Sequence, residues 1–250
     1  INLYLGKYNV SNLEITDVLD FIEGITQNIS RKSLQDIVVV LKSILYYGKI
    51  LRYSIFALNA IPSVIVTKKK IIILDWKDLN NLETFICHNM SYKNIGLFIC
   101  LYTGIRLGEI YVLKCRDILL HDEKIIINES VQRINEKRKS YTEIDMPKIE
   151  NLIRKILINQ NLYQYLILFQ KAHGYILTGT EHYLTPRIYQ YYFKRILNYF
   201  HIKDYNFHIL RHTFATRCVQ CNVDIKSLSE ILRRSSVNTT LDIYTLIIFS

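Results

Sequence analysis

No apolar run in the 250-residue chain approaches the ~18 residues that a membrane-crossing helix needs. The longest, Ile95 to Tyr102, would cover about half of a bilayer, so a helical membrane span is excluded and no membrane partner is expected. A charged-then-apolar opening is missing too, so no signal peptide is visible; with no initiator Met, the chain reads as one that begins inside a longer protein. Cysteine is sparse and odd in number: the five (Cys87, Cys100, Cys115, Cys218, Cys221) do not form a disulfide framework, which points to a reducing cytoplasm. Cys218 and Cys221 make a CxxC, but no second pair stands at zinc spacing; both are read as buried or half-buried thiols, with no metal and no cofactor. Repeats and low-complexity tracts are absent.

Acidic residues are the minority charge, 22 against 32 Lys plus Arg. The net charge of +10 asks for a polyanionic partner, and nucleic acid is the commonest one for a basic protein. Half of the residues are apolar, enough for a buried core and too many for disorder. The 19 Tyr, with abundant Ile, Asn and Lys, fit a genome biased toward AT-rich codons.

The chain is long enough for one large or two modest domains. Residues 1 to 67 carry 6 basic and 5 acidic side chains, so the positive surplus lies downstream. Helical periodicity predicts a helix over about Ile15 to Ile25 and a second over about Ser33 to Tyr47, with Leu34, Ile37, Val38, Leu41, Ile44 and Leu45 on one face. Arg31 and Lys32 open that second helix, where they either meet phosphate or form a solvated helix end. A linker is expected at about 62 to 70; its Lys68, Lys69 and Lys70 either strap across DNA or stand solvated in a connector.

After the linker comes a short strand-like IIIL, then a helix starting near Asp78. From Leu82 onward the pattern is mostly helical, broken by one β segment. Strands are predicted over Lys124 to Val131 and Tyr141 to Met146, flanking a basic tip from Arg133 to Ser140. Further helices are predicted at about 150 to 171, 186 to 200, 208 to 221, 225 to 233 and 237 to 245.

Four segments hold polar residues that packing does not require. YTGIRLGEI (Tyr102 to Ile110) places Arg106 in the first turn of a helix, one turn from Glu109. In HILRHTFATR (His208 to Arg217), His208 and Arg211 stand three apart, projecting from one helix face toward a common group. The hairpin tip offers Lys137, Arg138 and Lys139. In LSEILRRSSVNTTLDIYT (Leu228 to Thr245), Ser235 or Ser236 caps a short helix that carries Tyr244.

Taken in this order and spacing, TGxRxGE, HxLRHTFAT and SSVNTTLxxY resemble the tyrosine recombinases, the phage-type and transposon-type integrases, from about residue 4 to 245. The stretch YLGKYNVSNLEITDVLDFI is similar to the second part of that family's core-DNA-binding domain. The resemblance implies a mainly α fold with a small antiparallel β-sheet: a partial helical core-DNA-binding domain at 1–66 and a catalytic domain at 70–250, together gripping duplex DNA in a C shape. It implies site-specific recombination or integration of a mobile element, through a transient 3′-phosphotyrosyl DNA intermediate. By the same resemblance Tyr244 is the nucleophile, Arg106 and Arg211 are the two active-site arginines, and His208 is the histidine three residues before the second. Lys139, eight residues before Pro147, matches the hairpin lysine, with Lys137 in reserve. Double-stranded DNA is the implied partner and a homo-tetramer on two sites the implied assembly, nucleoid-associated in the cytoplasm, with no small-molecule substrate. Neither ATP nor metal is required.

The chain departs from the family pattern in places. Where Gly-His usually precedes Ser-Ser, it has Arg233 and Arg234; Arg234 keeps a hydrogen-bond donor, while Arg233 loads a helix end where Gly takes positive φ at little cost. Leu246 replaces a common His, six residues follow Tyr244, and the first helix of the core-binding domain falls before Ile1. A degenerate relative that binds DNA without cleaving it is the alternative reading.

Overall fold

The computed structural model describes residues 1–9, 12–53, 58–66, 72–136, 139–145, 153–170 and 172–232. The chain divides into two compact units, Ile1–Lys69 and Lys70–Ser250.

In the first unit, α1 (Asn2–Leu5) and α2 (Ile15–Thr26) precede the long α3 (Arg31–Ile50). Each main helix starts where a side chain satisfies an orphan backbone N–H. Glu14 and Asp17 form a reciprocal capping box on α2, and Ser30 Oγ accepts from Ser33 N at 3.1 Å on α3. Val18, Phe21 and Ile22 of α2 share one buried cluster with Leu34, Val38, Leu41 and Leu45 of α3, closed by Leu5 and Ile61. The buried stripe of α3 is narrower than its periodicity suggests: Ile44 is 52% exposed.

The second unit is built around α5 (Tyr92–Thr103), whose residues from Asn94 to Leu101 are buried without interruption. Gly96 allows this depth, because a Cβ there would lie 2.1 Å from Leu177 Cδ2. Around it stand α4 (Trp76–His88), the one-turn α6 (Leu107–Ile110), α7 (Gln160–Leu166), α8 (Pro186–Tyr199), α9 (His208–Gln220) and α10 (Ile225–Leu232). Among the described residues, no helix is long and apolar enough to cross a membrane.

The β segment differs from its sequence reading. The run from Lys124 divides at Asn128 and Glu129 into β2 (Lys124–Ile127) and β3 (Ser130–Glu136), which enter different sheets. β2 lies between β1 (Ile118–Leu119) and β5 (Arg154–Leu157) in an antiparallel three-stranded sheet. β3 pairs with β4 (Lys139–Asp145) as a separate ribbon, in a register running from Ser130 opposite Asp145 to Glu136 opposite Lys139. Most of the expected basic tip is therefore ladder: Arg133 faces Thr142 and Asn135 faces Ser140.

No single helix spans 150 to 171. Ile156 and Ile158 point inward while Lys155 and Leu157 point out, a period of two, so the backbone is extended there. Asn159, also extended, then caps α7 through Oδ1, which accepts from Leu162 N at 2.8 Å. The IIIL segment gives no strand over its described residues; Leu74 is buried instead, its N–H donating to Thr213 Oγ1 at 3.1 Å. The helix expected at 237 to 245 lies outside the described residues.

Candidate active site

The first box folds as a helix stop followed at once by a helix start. Gly104 ends α5 in the left-handed conformation, φ +62°, which a residue with a Cβ adopts only at a cost. A Cβ at Gly104 would also lie 2.5 Å from Phe214 and 2.8 Å from Leu232, so α9 and α10 close directly onto this turn. Arg106 then caps α6 with extended backbone, and Glu109 Oε2 accepts its N–H at 2.8 Å. Glu109 is buried, and a buried carboxylate needs both charge and donors. Arg106 Nη1 supplies one at 3.2 Å, and Arg154, at the start of β5, forks onto it with Nη1 at 3.0 Å from Oε1 and Nη2 at 2.7 Å from Oε2.

α6 also anchors the root of the hairpin. A Cβ at Gly108 would lie 2.7 Å from Val131 O and 2.9 Å from Ser130 Oγ, so β3 runs against the arginine turn. Lys139 opens the return strand β4 opposite Glu136.

The second box is α9. Asn206 Oδ1 accepts from His208 N at 2.9 Å at the helix start. The His208 ring is exposed and meets the ring of His212, one turn on, edge to face at a centroid distance of 5.4 Å. Both histidines and Leu107, the neighbour of Arg106, line a cleft of about 390 Å³ together with Lys194, Tyr205 and Gln190. Arg211 is buried: Nη1 donates to the carbonyl of Gly104 at 2.5 Å and Nη2 to the carbonyl of Leu232. One guanidinium thus ties the first box to the residue that directly precedes Arg233. The charges of Glu109 and Arg211 both reach Cys100 on α5; burial first, then Glu109, push its thiol up, and Arg211 opposes them. Farther along α9, Arg217 pairs with Glu83 at 2.8 Å and lies over the Tyr102 ring, joining α9 to α4 and α5.

The elements carrying Arg106, His208, Arg211 and Lys139 are thus adjoined within the second unit. In the first unit, Arg31 opens α3 and is exposed, while Lys32 Nζ is held by Asp36 at 2.8 Å and Gln35 at 2.9 Å, as a solvated helix end would be. Lys68, Lys69, Lys70, Lys137, Arg234 and Tyr244 lie outside the described residues. Of the CxxC pair, Cys218 is half-buried at the end of α9 and Cys221 is exposed at its cap. Two residues escaped the sequence reading. Arg154 lies in the stretch whose pattern predicts a helix over about 150 to 171, and only the two-residue alternation after it marks a strand. His212 stands four residues from His208, a helical spacing visible in the sequence.

The family model described as "Phage integrase family" matches residues 73–248. A tyrosine recombinase XerC-like protein of Caldanaerobacter subterraneus subsp. tengcongensis is 30% identical over 171 residues, 58% of this chain and 43% of that protein. The ICEBs1 integrase of Bacillus subtilis is 23% identical over 98% of this chain and 70% of its own length. Among solved structures, the Tn1549 transposon integrase in complex with transposon right end DNA has the same fold, with a TM-score of 0.74 at 23% identity over 96% of this chain and 83% of that one.

Proposed function

Because the chain belongs to the phage integrase family, we propose that it is a site-specific recombinase of a mobile element, cutting and rejoining duplex DNA through Tyr244. The observation that carries this reading is the convergence of two boxes on one cleft: the turn bearing Arg106 and the helix bearing His208 and Arg211 are joined by Gly104, while Leu107 and His208 line the opening. The Tn1549 integrase, whose fold this chain shares, is seen on DNA, which supports a duplex as the partner. In this reading residues 1–66 are a partial core-DNA-binding domain and 70–250 the catalytic domain, with four copies meeting on two DNA sites, associated with the nucleoid.

The chemistry follows from charge. A phosphodiester carries one negative charge, and its five-coordinate transition state concentrates more on the non-bridging oxygens. Arg106 and Arg211 hold these oxygens, being permanently charged and planar. The Tyr244 phenol, with an ordinary pKa near 10, gives its proton to His208 as its oxygen bonds to phosphorus. The bond from phosphorus to the 5′ oxygen breaks, and Lys139 protonates that oxygen. Arg234 donates to the same phosphate. The 3′-phosphotyrosyl ester preserves the bond energy, so a second 5′ hydroxyl reverses the step. Arg31, Lys32, Lys68, Lys69, Lys70 and Lys137 neutralise backbone phosphates around the site, and affinity falls steeply with salt.

Incubation with a library of nicked duplexes, from which the cut strand diffuses away, tests the reading. An adduct that survives denaturant supports it. Tight, salt-sensitive binding with no adduct favours the second reading, a DNA-binding relative without cleavage, for which Arg233 and Arg234 in place of Gly-His are the specific sign. In that case R233G/R234H decides whether cleavage has decayed or was never part of the chain's function.

A further inference from the structure

We propose that Lys114 and Glu129 are positioning residues: their ion pair straps the root of the β3–β4 ribbon to the body of the second unit, and so sets where Lys139 stands. This rests on the reading above in giving Lys139 the acid's role. Glu129 lies in the two-residue joint between β2 and β3, where the chain leaves the three-stranded sheet for a separate ribbon. Its carboxylate meets the body, with Oε1 3.0 Å and Oε2 3.2 Å from Lys114 Nζ. Neither group is an ordinary solvated surface charge, for the Glu129 side chain is 9% exposed and that of Lys114 21%.

Lys114 is the fixed end of the strap. Its own N–H donates to Asp117 Oδ2 at 3.2 Å, Cys115 N to Gly174 O at 2.9 Å and Ile176 N to Leu113 O at 2.8 Å, so the chain is held on either side of it. Its ammonium also stands 5.5 Å from the centre of the Tyr175 ring. Glu129 is the end that can move, because it belongs to no strand and leads into a two-stranded ribbon, which has little stability by itself. The close approach of Gly108 to Val131 gives the root one attachment. One attachment is a pivot; the ion pair adds a second and fixes a direction. Loss of Lys114 would leave a mostly buried anion beside another carboxylate: burial first, and also the charge of Glu129, push the Asp117 carboxyl up, against the Lys114 N–H and the charges of Arg116 and Lys114. Glu129 would then turn toward water and take the joint with it. Lys139 pairs with the far end of the seven-residue β3, ~20 Å from the joint. A rotation of ~10° at the root therefore moves it by ~3.5 Å, more than the whole length of a proton-transfer contact.

The test begins with the full-length chain and no DNA. Trypsin has four sites between Arg133 and Lys139, and fragment masses identify cuts there in the native protein. K114M keeps the stem over Tyr175 and removes the charge; E129Q removes the charge at the other end. Each is expected to raise nicking in the ribbon about fivefold relative to nicking elsewhere in the chain. K114M/E129Q leaves no buried charge unpaired and should be no faster than either single variant. K114R should stay within about twofold of the parent. An unchanged rate in both single variants, a double variant near the product of the two, a K114R rate equal to that of K114M, or an equal rise at every site of the chain would overturn the strap; E129Q carries the test if K114M fails to fold. This readout needs no cleavage of DNA, so an absent adduct in the parent counts against the recombinase reading alone. Where the parent forms adducts, K114M and E129Q should form them about tenfold more slowly on ordinary DNA, yet within about twofold of the parent where sulfur replaces the 5′ bridging oxygen, a leaving group that needs no proton. Equal slowing on both substrates, with K139A slowed on ordinary DNA alone, would overturn the link from strap to Lys139, whereas K139A slowed equally on both would take down only the acid reading.

Discussion

Arg211 reaches across the second unit to the main chain of Gly104, Nη1 to carbonyl oxygen at 2.5 Å, and with its other terminal nitrogen holds the carbonyl of Leu232. A side chain assigned to phosphate is therefore also the clasp between α5, α9 and α10. Loss of a charged donor to a buried carbonyl costs ~1.5–3 kcal/mol. R211K, which cannot fork, should lower unfolding stability by about 2 kcal/mol and speed amide exchange in α10. Denaturant melts and exchange mass spectrometry check both, and parental exchange in α10 would remove the clasp.

Gly104 carries the backbone side of the same relationship. G104A forces alanine into the left-handed region and drives its Cβ toward Phe214 and Leu232, at 2.5 and 2.8 Å. The two penalties together should destabilise the chain by about 2–4 kcal/mol. A loss below about 0.5 kcal/mol in a urea melt would mean that the turn relaxes freely.

These relationships also show what the sequence made legible. The boxes around Arg106 and His208 were readable because their signals are local: a glycine stop, a capping acid three residues on, apolar positions at helical spacing. Arg154 and Glu109 stand 45 residues apart, and nothing local to either announces the other. β5 is masked in the sequence, because four residues with alternating burial are too short a window to compete with the helical pattern that follows from Gln160. The contacts of Arg211 run from a side chain to carbonyl oxygens, which every residue possesses, so no residue type marks them. Ile44 shows the opposite limit: it lies on the apolar face that periodicity marks yet is half exposed, because periodicity shows that a face is apolar, not how much of it finds a partner.

Lys139, at the head of β4, is expected to protonate the departing 5′ oxygen. K139A should therefore cleave ordinary DNA about 10²-fold more slowly or worse. On a substrate whose 5′ bridging oxygen is replaced by sulfur, which leaves without a proton, it should approach the parental rate. Equal impairment on both substrates would take the acid role away from Lys139.

The two thiols of the CxxC should differ in reactivity. Burial, and then the charge of Cys221, push the Cys218 thiol up to about 11, from an ordinary value of 9.0. Near pH 8, iodoacetamide should label exposed Cys221 well before Cys218. The sign for stability follows: between pH 9.0 and about 11 the folded chain keeps a proton that the unfolded chain has released, so stability falls as pH rises through that window. Equal labelling rates would show that Cys218 is not held in its buried setting.

Mapping the atom that joins protein to DNA tests the central claim most directly. After reaction with a nicked duplex, nuclease trimming and proteolysis, mass spectrometry should find a 3′-nucleotide phosphate on the peptide containing Tyr244, and none in Y244F. A nucleotide on any other residue, or the same adduct yield from Y244F, would contradict the account.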